Sequence, residues 1–188
     1  MESQSDSALM QLVQEGDTAQ LALLFERHHM ALFHHLLALT RNRAVTEDLV
    51  QEAFFRVIKY ARTYNPALSF PTWLHGIARN AYFDSLRKKR NEAPMEPLLV
   101  AEMKSSEPVP EEMMTRQQDA LFLQNALDQL PADKREVLVL SRFQDLRYEE
   151  IARILECEVG TVKVRVYRAL KELRARFCEL RGEKVYDA

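Results

Sequence analysis

Residues 147–176 read RYEEIARILECEVGTVKVRVYRALKELRAR and contain two helical periodicities divided by a short break. In the first, Tyr148, Ile151, Ala152 and Leu155 fall at i, i+3, i+4 and i+7, one apolar stripe along a single face. Glu156, Cys157 and Glu158 interrupt the pattern. In the second, at about 100° per residue, Val162, Val166, Ala169 and Leu173 stack on one side. Thr161, Val164, Arg165, Arg168 and Lys171 project from the other, with Lys163 flanking them. A short helix, a tight turn and a longer helix with basic residues near its start is the arrangement that carries side chains into the major groove of DNA.

Charge supports that reading through its position. Between Gly160 and Arg181, Lys163, Arg165, Arg168, Lys171, Arg174, Arg176 and Arg181 face only Glu172 and Glu179, a net +5, whereas the whole chain carries −2. An ordinary solvated helix face can be basic, but it does not require the turn in front of it.

The chain has 188 residues, 47% of them hydrophobic and only four of them glycine, and no stretch alternates β-branched residues between turn signals. An all-α fold of two small helical domains is expected. Residues 1–90 hold the first, with three or four helices between 8 and 90. Within it Thr46 reads as the N-cap of a helix running to about Tyr60, and Pro71 as the start of the last helix. Residues 91–117 change character, with four prolines and six glutamates against Lys104 and Arg116, and read as a flexible acidic linker. Residues 118–188 form the second domain, a four-helix unit that ends in the helix-turn-helix. An acidic tether between two basic surfaces is also expected to fold back on them and to weaken DNA binding by the free chain. No segment offers ~18 uninterrupted apolar residues, and the N-terminus lacks a basic and apolar leader, so no membrane insertion and a cytoplasmic location are expected.

Other chemistry is weakly encoded. His28-His29 and His34-His35 invite a metal reading, but no pair stands at i, i+4, and His28 and His35 are roughly 10.5 Å apart along a helix axis. They read as partly exposed helix histidines, with no metal and no cofactor predicted. Loss of metal uptake with His28 and His35 would mark the competing class, a metal-responsive interaction protein. Cys157 and Cys178 form no CxxC pair and read as reduced thiols. No catalytic constellation or phosphate-cradling glycine loop is present, so no catalytic residue is assigned.

Leu130-Pro131, Tyr148 to Ala152, and Val159-Gly160-Thr161-Val162-Lys163 followed by Arg165 and Arg168 resemble region 4 of the extracytoplasmic-function sigma factors. Upstream, Glu47 to Phe54, then Phe70, Trp73-Leu74, Ile77 to Asn80, Asp84 and Arg87 resemble region 2 of the same family in the same order. The resemblance implies a protein without covalent chemistry that binds core RNA polymerase, at the clamp helices of its largest subunit and at the flap, and directs it to promoter DNA. It implies an anti-sigma factor as a further partner. It assigns Thr161, Lys163, Val164, Arg165, Arg168 and Lys171 to the minus-35 element and Asp48, Gln51 and Glu52 to polymerase docking. Tyr64, Phe70, Arg79, Asn80, Asp84 and Arg87 fall to capture of the melted minus-10 strand, although the i, i+4, i+8 spacing of Trp73, Ile77 and Ala81 places Trp73 in a core. A helix-turn-helix regulator that works without polymerase is the alternative, and the first domain discriminates the two. Three positions depart from the family pattern: Asp145 and Arg147 before the first helix, Glu156 where a helix-ending glycine is usual, and Val164 where a small hydroxyl residue is common. Val164 on the groove side favours a thymine methyl over a hydrogen-bonding base edge.

Overall fold

The computed structural model describes residues 4–92, 111–143 and 146–182, and these are helical without a strand. Four helices, α1 (Asp6–Glu15), α2 (Leu21–Thr40), α3 (Arg43–Tyr60) and α4 (Phe70–Glu92), enclose a first core. Leu24, Leu36, Ala53, Val57, Leu74 and Ala78 sit at its centre, each at most 2% exposed. Four more, α5 (Glu111–Asp128), α6 (Ala132–Phe143), α7 (Tyr148–Ile154) and α8 (Val159–Arg181), enclose a second around Leu140, Ile151, Val162 and Ala169.

Local chemistry sets the helix ends. Ser5 caps α1 by accepting from Ala8 N at 3.2 Å, and Gly16 closes it at φ 108°. The helix assigned to a Thr46 cap instead begins four residues earlier, at Arg43. Asn42 is extended and accepts from Val45 N at 3.1 Å, whereas Thr46 is fully buried and donates its hydroxyl to Asn42 O at 2.8 Å. An asparagine outranks threonine as a cap, and here it also stands just past the left-handed Arg41 that ends α2. The last seven residues assigned to the linker, 111–117, begin α5, and α4 runs to Glu92. The remainder of the acidic tether, 93–110, and its proposed fold-back lie outside the described residues, as do Asp145 and its turn.

Histidine placement also differs from expectation. His35 is buried, 1% exposed, its ring T-stacked on that of His75 with centroids 4.6 Å apart. Neither Nδ1 has a hydrogen-bond partner, so both rings are apolar packing units in the first core. Among the described residues no cluster suits a metal ion.

The helix-turn-helix turn follows the expected strain. Leu155 closes α7, Glu156 adopts φ 50°, and Cys157 N donates to Ala152 O at 2.9 Å while Glu156 N donates to Arg153 O at 3.3 Å. This is the Schellman pattern, with glutamate at the position that favours glycine. A left-handed glutamate costs on the order of 1 kcal/mol relative to glycine, partly offset by glycine's greater freedom in the unfolded chain. Glu156→Gly is therefore expected to raise the thermal midpoint by about 1–3 °C while Glu156→Ala does not; equal midpoints in a calorimetric comparison would show the turn to be unstrained.

Candidate nucleic-acid interface

The entry to the helix-turn-helix is tied by one carboxylate. Arg147 precedes α7 in an extended conformation, and its backbone N–H donates to Glu150 Oε2 at 3.0 Å. Arginine has no acceptor, so only this returning half of a capping box exists. The other oxygen, Oε1, accepts from Thr72 Oγ1 of α4 at 3.1 Å. Glu150 thus caps α7 and docks it on the first helical unit.

On α8, Val162, Val166 and Ala169 are buried, while Thr161, Lys163, Val164, Arg165, Arg168 and Lys171 are all exposed. The six assigned side chains therefore share one open face. Tyr167, 68% exposed, stands among them beside the 47%-exposed Val164, and the sequence reading passed over it. An exposed phenol on an otherwise basic helix was the available signal.

The α4 set divides. Asn80 and Arg87 are exposed, and Arg87 pairs with Asp84. Arg56 Nη1 donates to Asp84 Oδ2 at 2.7 Å, and hydrogen bonds from Arg56 and Arg87 hold the Asp84 carboxyl below its ordinary value. Tyr64 and Phe70 correct the expectation of an aromatic base pocket. They are 4% and 1% exposed, their rings 6.2 Å apart and both edge-on or tilted against Trp73, which packs on the same core. Tyr64 spends its hydroxyl on Leu68 O at 3.0 Å. Their aromatic faces hold the loop before α4 in place and are not open to a base.

Arg79 is turned toward the second helical unit. Its Nε lies 3.0 Å from Oε1 of Glu136 on α6 and donates to Oε2 at 3.3 Å. Glu136 is 1% exposed, and burial pushes its carboxyl up to about 7 although Arg79 and Arg165 pull the other way. Sequence reasoning found neither Glu136 nor this contact, since periodicity says that a face is buried but not against which element.

The α3 set, Asp48, Gln51 and Glu52, is exposed as expected. Phe55 continues that face at 72% exposure, and Arg56 joins Glu52 to Asp84, donating from Nε to Glu52 Oε1 at 2.7 Å.

Two opposed titrations follow. Glu136 binds its proton more tightly when buried, so its contribution to the folded state is complete below about 4.5 and is lost as pH rises through about 7. His35 and His75 are held below 6.5 by burial, His75 at about 4, so their contribution is complete above 6.5 and is lost as pH falls. Between about pH 4.5 and 6.5 they oppose each other. Glu136→Gln is expected to steepen the acid loss of the thermal midpoint and His75→Gln to flatten it; three parallel pH profiles would refute both assignments.

Comparison with known proteins gives the same two units. Residues 24–92 match sigma-70 region 2, and residues 122–173 match sigma-70 region 4. The chain is 34% identical to the ECF RNA polymerase sigma factor SigE of Mycolicibacterium smegmatis over 80% of its own length and 59% of that protein's. It is 30% identical to the ECF RNA polymerase sigma-E factor of Escherichia coli over 89% of its length and 92% of that protein's. Among solved structures, the sigma factor RpoE of Bartonella quintana, seen in complex with the anti-sigma factor NepR, superposes with a TM-score of 0.64 at 26% identity. That likeness covers 86% of this chain and 96% of the other.

Proposed function

The chain belongs to the extracytoplasmic-function sigma factors of the sigma-70 family, and on that premise we propose how its surfaces divide the work of starting transcription. As a sigma factor it acts with core RNA polymerase in promoter-specific initiation. The covalent chemistry belongs to the polymerase, and the sigma chain contributes recognition. A cytoplasmic location accords with that role, and no helix among the described residues is long and apolar enough to cross a membrane.

The observation that carries the division is the open face of α8. Six assigned side chains on it are exposed together, behind a helix-turn-helix whose entry and turn are both hydrogen-bonded. In our reading Arg165 and Arg168 read base edges of the minus-35 element, Val164 and Tyr167 contact apolar edges such as a thymine methyl, and Lys163 and Lys171 hold phosphates. Residues 4–92 form the unit that docks on polymerase and captures the minus-10 strand, with Arg79, Asn80 and Arg87 as its DNA contacts and Tyr64, Phe70 and Asp84 positioning them. Asp48, Gln51 and Glu52, extended by Phe55, supply the docking face for the clamp helices, and the flap is the site for the second unit. An anti-sigma antagonist, as NepR is for its relative, completes the partners. A regulator working without polymerase has no use for a region 2 unit.

Transcription from a randomised promoter library tests the reading: chain-dependent transcripts are expected only when core polymerase is added. Arg168→Ala is expected to weaken binding to the selected duplex by about 5- to 150-fold, the 1–3 kcal/mol of a bidentate base contact. Equal losses on selected and random duplex would move Arg168 to the phosphate contacts. Transcripts absent with core would remove the proposal as a whole.

Docking is tested apart from DNA reading. Asp48 is exposed and holds no ion pair among the described residues, whereas Glu52 restrains Arg56. Asp48→Lys is therefore the cleaner variant. It is expected to lose capture of core polymerase at unchanged thermal stability, and undiminished capture would take α3 out of the docking surface.

A further inference from the structure

The loop that leads into α4 is held from outside itself. It leaves the 3-10 turn Ala61–Thr63, runs from Tyr64 to Ser69, and exposes Asn65, Pro66, Ala67 and Ser69 while Tyr64 is buried. Its tip is shaped by its own chain: Asn65 accepts from Ala67 N at its Oδ1 and from Leu68 N at its carbonyl, both at 2.9 Å. Such a turn gives the tip a shape but not a position.

The position comes from α1. Gln14 Nε2 carries two hydrogens and donates to Ala61 O at 2.9 Å and to Tyr64 O at 3.1 Å, the carbonyls on either side of the point where the loop departs. Ser7, at i−7 on the same helix face, places its Oγ 3.2 Å from the Tyr64 hydroxyl. Tyr64 gives its one hydroxyl hydrogen to Leu68 O, so Ser7 is the donor, and the relay from Ser7 through Tyr64 to Leu68 ties α1 to the far side of the loop. The helix is itself fixed. Leu9, Met10 and Val13 are buried in the first core, and Asp6 pairs with Arg27 at 2.8 Å and His28 at 2.7 Å. The His28 ring in turn tilts against Phe70, where α4 begins, with centroids 5.2 Å apart. Water would satisfy the same carbonyls at a part-buried site, so what the bonds from α1 add is the height and tilt of the tip.

We infer that α1 is a brace for the strand-capturing loop: Gln14 and Ser7 are positioning residues that set where Asn65 to Ala67 and Ser69 meet an unpaired strand. The inference rests on the assignment of residues 4–92 to the minus-10 strand. It gives α1, which precedes the matched residues 24–92, a task separate from polymerase docking and from duplex reading.

Three variants of the full chain test it. Gln14→Leu keeps the side-chain bulk and removes both donors, Ser7→Ala removes the third, and Ser7→Thr keeps it. Amide hydrogen exchange reads the loop in the free chain. Binding is read in complex with core polymerase, on a fluorescein-labelled single strand carrying the minus-10 segment of a promoter selected from the library, intact or with one base changed. Gln14→Leu is expected to speed exchange at Tyr64, Ala67 and Leu68 while the core of α3 and α4 stays protected. It is expected to weaken binding of the intact strand about tenfold and of the changed strand by less, so that discrimination falls. Ser7→Ala is expected to act in the same direction and Ser7→Thr to match the unsubstituted chain, with capture of core polymerase and binding of the selected duplex unchanged throughout. Equal losses on both strands, or lost capture of polymerase, would make the bonds merely structural and overturn the positioning role. Unchanged exchange in both Gln14→Leu and Ser7→Ala would overturn the brace. Absence of single-strand binding by the unsubstituted complex would instead remove the assignment of residues 4–92, with exchange still deciding whether α1 holds the loop.

Discussion

Two helices from different parts of the chain, α2 and α5, end beside each other, and one guanidinium satisfies both ends. The last carbonyls of a helix have no partner within it and form the negative end of its dipole, so two C-termini brought together repel each other and leave acceptors unpaired. Arg135 resolves this by donating to Leu39 O at 3.1 Å, Leu127 O at 3.0 Å, Asp128 O at 2.6 Å and Leu130 O at 3.2 Å. Each buried acceptor left unmade would cost about 1–3 kcal/mol. Because Arg135 sits in the first turns of α6, fixing it fixes the azimuth of that helix. Glu136 and Val139 then turn toward the first unit while Val137, Leu138 and Leu140 turn toward the second.

The α6 segment also marks where sequence reading stops. A run of four apolar residues, Val137 to Leu140, is what a helix buried on more than one side looks like, and that signal was present. What periodicity does not carry is the identity of the second wall, which lies 57 residues away at Arg79. The helix-turn-helix was legible because its information is local: stripe spacing, a three-residue break, and a glutamate where the backbone turns left-handed at φ 50°. The first unit was legible in its helices and less so in its surfaces. Tyr64 and Phe70 look like base-stacking aromatics by neighbourhood, yet their rings are needed to fill the space between α1, α4 and the loop joining α3 to α4. His35 likewise reads as a surface residue beside His34 until packing against His75 removes it from water.

Arg56 links surfaces that were assigned separately. By holding Glu52 with Nε and Asp84 with Nη1, it connects the exposed face of α3 to the outer edge of α4, where Arg87 competes for the same carboxylate. In an exposed setting such a network contributes little to stability, so its weight lies in orientation. A partner that draws Glu52 away would release Arg56 onto Asp84 alone and alter the hold on Arg87. The face proposed for docking and the edge proposed for strand contact are in this sense joined electrostatically across a single side chain.

Trp73 is the only tryptophan in the chain, and it follows Thr72, which donates to Glu150. Its indole is packed edge-on against Tyr64, 5.2 Å between ring centroids, and tilted against Phe70, and it is partly exposed. The molecule therefore contains a built-in optical gauge. Solvent reaching the indole when Tyr64 or Phe70 moves away shifts its emission to longer wavelength, so the packing of the first core can be followed in the purified, unlabelled protein without attaching any dye.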